Sequence, residues 1–128
     1  MMRAGAAKLY LQMSIQAASR EQVLLTLYDT AIIEARMAAT AIRNDDLDGR
    51  SEHIHRVSST ISELISALDH TVAPELCMQL LQLYLYMKRR LANADANLEA
   101  EAAEEVTGLL DDLRAAWRQA VAEIKNEE

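Results

Sequence analysis

The residues whose types and spacing best suit chemistry are Glu52 and His55, three positions apart. An E-x-x-H pair of this kind ligates iron in carboxylate-bridged helical bundles, but such a centre needs a second pair and two further inward glutamates. The chain supplies no second pair, because no glutamate stands three residues before His70. Both side chains also point away from the apolar face of their helix. We therefore expect a solvated pair and no metal or other cofactor.

His55 raises one other kind of chemistry, the transfer of a phosphoryl group through an exposed imidazole on a helical bundle. Phosphotransfer domains resemble one another in a His-x-x-Lys-Gly type of run. The sequence around His55, HIHRVSST, lacks this run. A histidine phosphotransfer domain therefore stays only as an alternative reading.

Nucleophilic catalysis has no support in the sequence. Cys77 is the single cysteine, and its place beside an apolar seam is typical of a small buried hydrophobe. Glycine-rich phosphate loops and CxxC pairs are absent. One cysteine cannot form an internal disulfide, which fits a reducing cytoplasm. We predict a cytoplasmic protein that is not an enzyme.

Composition narrows the fold and the partners. The 128 residues carry a net charge of −7 and include three Gly and one Pro, which favours one all-α domain. The tightest basic cluster is the single turn 88–90, too small for a phosphate-binding surface, so nucleic acid is not expected as a partner. No apolar run reaches the length of a membrane span, so membrane insertion is not expected either.

Four helices of similar length must position these residues, and short connections between them predict an antiparallel up-down-up-down four-helix bundle with an N-terminal arm or short helix. Capping signals mark their starts: Ser19 for the first, Asp46 or Asp48 for the second, and Pro74 at the first turn of the third. The predicted single domain, 1–128, divides into an arm, 1–18, and helices at about 20–43, 48–70, 74–96 and 100–125.

Each predicted helix has an apolar seam whose members are three or four residues apart, as expected of helices that share one core. The first, second and fourth seams are Leu24, Tyr28, Ala31, Ala35, Ala38 and Ile42; Ile54, Val57, Ile61, Leu64 and Leu68; and Ala102, Val106, Leu109, Leu113, Trp117, Ala120 and Ile124.

The third helix has more apolar surface than one core needs. Its seam is Leu76, Leu80, Leu83, Met87 and Leu91, with Tyr84 beside it. A second stripe of Met78, Leu81 and Leu85 lies on average about 140° around the helix. This stripe either packs on a neighbour as core or binds another protein, and the pattern leaves both readings open. The residues predicted to contact a partner are this stripe, Tyr10 and Leu11 on an arm that covers or borders it, and Ile33 and Met37 on the first helix.

Three segments together resemble the family of flagellar export chaperones called FliS. Tyr10 and the runs 15–23 and 27–31, IQAASREQV and LYDTA, are similar to the family's N-terminal Tyr and its V-x-T-A-S-P-E-x-L-x-x-x-L-Y-D-G-A pattern. The run 83–91, LYLYMKRRL, is similar to L-Y-x-Y-M-N-R-R-L, and 105–117, EVTGLLDDLRAAW, to E-V-x-x-L-L-x-x-L-R-x-A-W. The resemblance covers residues 10–121; Arg20, Thr30 and Lys88 replace the family's Pro, Gly and Asn.

The resemblance implies a bacterial cytoplasmic chaperone that binds the disordered C-terminal part of flagellin, prevents premature polymerisation and assists export by the flagellar type III secretion apparatus. It implies no nucleotide or metal, and it adds other flagellar regulatory or export proteins as candidate partners. One alternative of a different class stays open, a homodimeric helical-bundle adaptor or regulatory protein whose excess apolar surface pairs with itself or with another client.

Overall fold

The computed structural model describes residues 4–13 and 17–127, and within them the chain forms helices and no strand. The all-α prediction is confirmed. A short first helix precedes four long ones that correspond to the four predicted helices. The bounds are α1 Ala4–Met13, α2 Ala17–Arg43, α3 Leu47–Ser66, α4 Pro74–Asn97 and α5 Ala100–Glu127.

The four long helices form a closed ring in which α2 contacts α3, α3 contacts α4, α4 contacts α5, and α5 returns to α2. Helix α1 packs on α5 and, to a smaller extent, on α2. Side-chain pairs between α2 and α5 occur in opposite chain order, as expected of antiparallel neighbours; the full up-down-up-down topology stays a prediction. These pairs are Asp29 with Arg114, Arg36 with Asp111, and Arg43 with Glu104.

Helix starts agree with two of the three predicted signals. Asp46 caps α3, since its Oδ1 accepts a hydrogen bond from the Gly49 amide at 3.0 Å, and Pro74 begins α4. The prediction for Ser19 is wrong, because α2 already begins at Ala17, where two alanines favour helix over a cap.

The end of α3 comes earlier than expected. The predicted helix continues to residue 70, whereas α3 ends at Ser66. Beyond it, the Asp69 carboxylate accepts a hydrogen bond from the Thr71 amide at 3.1 Å. This side chain offers the backbone a turn in place of the next helical bond.

The core follows the predicted seams except at two turns. Tyr84 is buried where Leu83 was predicted, and Leu110 is buried where Leu109 was predicted; both displaced leucines remain half-buried at the edge of the core. Four seam ends are half-buried, while the others are buried. The half-buried ends are Leu24, Ile42, Leu68 and Ile124.

A hydrogen-bonded aromatic cluster joins several helices at the centre. The hydroxyls of Tyr28 and Tyr84 share a hydrogen bond, and Trp117 Nε1 donates to the Tyr28 oxygen at 3.1 Å. Tyr10 packs its ring against Trp117 with centroids 5.8 Å apart, and its hydroxyl oxygen accepts from the Asp69 amide at 3.0 Å. Helix α1 is thereby tied to α5 and to the connection between α3 and α4.

Candidate protein-binding surfaces

The Glu52 and His55 pair lies on the surface, as predicted. Both side chains are exposed, and Glu52 forms an ion pair with Arg56 one turn along α3. Within residues 4–13 and 17–127, no three His, Cys, Asp or Glu side chains come together as a metal site would require. Cys77 is fully buried, as predicted, and its thiol donates to the Asp69 carbonyl at 3.3 Å.

The second stripe of α4 belongs to the surface and not to the core. Met78 is 49% exposed and Leu85 is 43% exposed, while Leu81 between them is half-buried. The α4 side chains that do pack inward are large and fully covered, including Tyr84 and Met87. The alternative that this stripe packs as ordinary core is therefore excluded for Met78 and Leu85.

The flank of α4 that faces α5 is fixed by polar contacts around Glu105. The Tyr86 hydroxyl donates to the Glu105 carboxylate at 2.6 Å, and the Arg90 guanidinium does so at 2.6 Å. The hydrogen bond from Tyr86, and after it the one from Arg90, lowers the pKa of the Glu105 carboxyl group. The hydrogen bond between Tyr86 and Glu105 also raises the pKa of Tyr86. The contacts join α4 to α5 on a flank of the helix that does not include Met78 and Leu85.

Helix α2 presents a second apolar surface. Ile33 is 55% exposed and Met37 is 44% exposed, one turn apart. Ile33 also lines a groove between α2 and α5, where a cavity of about 480 Å³ lies between ion pairs that cross it. These pairs are solvent-exposed, so each contributes at most about 1 kcal/mol to stability. The groove therefore has an apolar edge at Ile33 and is bordered by the charged side chains of these ion pairs.

Tyr10 and Leu11 are buried, with 3% and 0% of their surfaces exposed. They hold α1 on the bundle and do not form an open contact surface. On the outer face of α1, Leu9 and Met13 are exposed and four residues apart. This third apolar pair is not among the residues predicted to contact a partner, although its one-turn spacing is visible in the sequence.

Among the described residues, every helix is too short or too polar to span a bilayer.

The family assignment comes from comparison with known proteins. Residues 2–124 match the family model described as flagellar protein FliS. A Bacillus subtilis protein named flagellar secretion chaperone FliS is 34% identical over 112 residues, covering 88% of this chain and 83% of that protein. A Salmonella typhimurium protein of the same name is 32% identical over 127 residues, covering 93% and 92%. The chain belongs to the FliS family of flagellar proteins.

Proposed function

We propose that the protein is a flagellar secretion chaperone whose client is flagellin, and that it binds the disordered C-terminal segment of flagellin before export. The relatives in Bacillus and Salmonella carry the name of such a chaperone. These names favour a chaperone over a phosphotransfer domain built on His55. A chaperone for export acts before its client leaves the cytoplasm, so we assign this protein to the cytoplasm.

The observation that carries the proposal is the exposed apolar stripe on α4, formed by Met78 and Leu85 with Leu81 half-buried between them. A segment that becomes a helix in an assembled filament has apolar side chains at helical spacing, and an exposed stripe of matching spacing can cover them. The thioether of Met78 adapts its shape to imperfectly matched partners. The stripe on α2, Ile33 and Met37, supplies a second surface for a longer client.

Binding of a disordered client has an energetic consequence that suits export. Ordering the segment on the chaperone costs conformational entropy, which offsets part of the energy gained by covering apolar surface. The affinity is thus moderated, and release at the export apparatus stays feasible. Covering the segment also removes the surface through which flagellin would assemble, so premature polymerisation is prevented.

The test is a titration of the protein with a peptide of the C-terminal segment of flagellin, followed by fluorescence anisotropy. Leu85→Asp places a carboxylate in the proposed contact, and we expect at least about a tenfold loss of affinity, equivalent to about 1.4 kcal/mol. Leu98→Asp is the matched control, since Leu98 is 51% exposed and lies beyond the end of α4. Unchanged binding by folded Leu85→Asp and Ile33→Asp proteins would exclude both surfaces.

The homodimeric alternative is decided by the mass in solution. Light scattering of the protein alone and with the flagellin peptide distinguishes a chaperone monomer that forms a mixed complex from a dimer that uses its apolar surface on itself. We expect one protein chain in each complex. A dimer that dissociates when Leu85→Asp is introduced, and that binds no flagellin, would support the adaptor.

A further inference from the structure

A polar groove lies between α3 and α4, across the ring of helices from the groove between α2 and α5. The groove is open to solvent and has a volume of about 290 Å³, and the side chains at its rim are small or polar. Ser58 of α3 and Ala92 of α4 keep the rim low, and Leu91 lies buried beneath it. Small rim residues let another helix approach the groove closely.

Lys88 gives this groove an uncompensated positive charge. Its Nζ donates to Ser62 Oγ across the groove, and an ammonium group has three donors. The acidic residue in the lining, Asp95, is held by Arg50, with 3.0 Å between Nε and Oδ1. Within the described part of the chain, no carboxylate lies within ion-pair distance of Lys88. The ammonium therefore keeps donors for a carboxylate from outside.

The groove continues the apolar stripe on the outer face of α4. At about 100° per residue, the positions of Met78, Leu85, Lys88 and Ala92 fall within about 80° of one another. Lys88 stands one turn beyond Leu85, toward the C-terminus of α4. The outer face of α4 is thus a single strip that is apolar in its first half and cationic in its second.

We propose that this strip binds an amphipathic helix of the client whose apolar side chains cover Met78 and Leu85 and whose carboxylate pairs with Lys88, one turn beyond the last apolar contact. The proposal deepens the proposed function, because it rests on α4 being the surface where the client binds. A protein of net charge −7 repels an acidic partner as a whole. Lys88 is then the position on this strip that attracts the carboxylate of the client. Pairing at this one point sets the register of the bound helix and the direction in which it lies along α4.

Two synthetic amphipathic helices test the charge selection. Both carry the same stripe of leucines, and one has a glutamate one turn beyond the last leucine where the other has a lysine. Each is titrated into the protein and its variants by fluorescence anisotropy at low salt. We expect the glutamate peptide to bind about fivefold more tightly, a preference that high salt weakens.

Charge reversal at Lys88 assigns the effect to this residue. We expect Lys88→Glu to reverse the preference so that the lysine peptide binds more tightly. Lys125→Glu, the same change at an exposed lysine of α5, should leave the preference as it was. Equal affinities of the two peptides, binding of neither peptide, or a preference that Lys88→Glu does not alter would overturn the proposal.

Titration with the flagellin peptide distinguishes failure of this proposal from failure of the proposed function. If its affinity depends on Leu85 while the two synthetic helices are not distinguished, only the charge selection fails. If it does not bind at all, but the synthetic helices are distinguished through Lys88, the strip selects an acidic helix and flagellin is not the client.

Discussion

At the scale of single residues, Tyr28 and Tyr84 combine burial in the central cluster with a hydrogen bond to each other. Tyr28 donates to or accepts from Tyr84 and accepts from Trp117, so three polar groups are satisfied inside an apolar core. A buried hydroxyl left without a partner costs about 1–3 kcal/mol, more than the bond itself adds. The cluster therefore disfavours other ways of packing the same apolar seams, because a different arrangement of the helices would leave a buried hydroxyl or the indole N–H without a hydrogen-bond partner.

Alkaline pH should weaken the fold through these tyrosines. Burial raises the pKa of Tyr28 to about 12 and raises the pKa of Tyr84 well above its usual value. The unfolded chain ionises near pH 10, so between about pH 10 and pH 12 it loses protons that the folded state keeps. The free energy of unfolding is then expected to fall by about 1.4 kcal/mol per pH unit for each buried tyrosine.

The measurement is urea unfolding at a series of pH values, with Tyr28→Phe as the comparison. The variant starts less stable at neutral pH, because Trp117 and Tyr84 lose a partner. Its stability should then decline less steeply above pH 10, since one group no longer titrates. Equal slopes for the two proteins would show that Tyr28 does not contribute to the alkaline loss.

At the scale of the helices, adjacent apolar residues explain why the seams were only partly predictable. Either Leu83 or Tyr84 can be the seam residue between Leu80 and Met87. A step of three residues followed by one of four, or the reverse order, keeps all three side chains on one face of the helix. The structure buries Tyr84, where its hydroxyl meets that of Tyr28 on α2. Periodicity along one helix contains no information about a hydrogen bond to another helix.

The end of α4 shows a residue in a conformation that its type does not favour. Leu98 has φ 56° and ψ 43°, in the left-handed region, and its amide donates to the Ala94 carbonyl. Glycine is the usual residue at such a helix end, and a left-handed backbone costs other residues about 1–2 kcal/mol.

Leu98→Gly is therefore expected to stabilise the protein. Relief of the left-handed backbone, less the extra chain entropy of glycine, leaves a gain of about 0.5–1 kcal/mol in the free energy of unfolding. Since Leu98 is 51% exposed, little packing is lost. Chemical denaturation measures the change, and Ala92→Gly, at an exposed helical position in α4, should instead destabilise by about 1 kcal/mol. A loss of stability in Leu98→Gly would mean that the leucine side chain contributes more than its exposure indicates.

At the scale of the whole molecule, the sequence indicated which apolar residues lie outside the seams better than it indicated which polar side chains of other helices lie beside them. Met78, Leu85, Ile33 and Met37 all lie off the seams and all are exposed; for Met78 and Leu85 the pattern alone left a position in the core equally open. The hydrogen bond from Lys88 to Ser62 depends on how α3 lies against α4. Contacts between residues so far apart in the chain are set by how the helices pack, which a single sequence does not encode in its local pattern.

The ring of four helices with α1 on its outside predicts one cooperative unfolding transition. Trp117, the single tryptophan, contacts α1 through Tyr10 and donates a hydrogen bond to α2 through Tyr28. Its fluorescence thus reports the packing of three helices, while far-ultraviolet circular dichroism reports all of them. For a single domain of this size the two transitions in urea should coincide.

Tyr10→Ala tests whether α1 belongs to this cooperative unit. The substitution leaves a cavity beside Trp117 and removes the acceptor for the Asp69 amide, so it should lower stability by about 2–4 kcal/mol. If α1 folds with the bundle, both midpoints fall together and remain equal. If fluorescence instead changes at a lower urea concentration than circular dichroism, α1 leaves first and the four long helices form a unit that is stable without it. The larger loss of helical signal must then accompany the second transition, because α1 contains only ten residues.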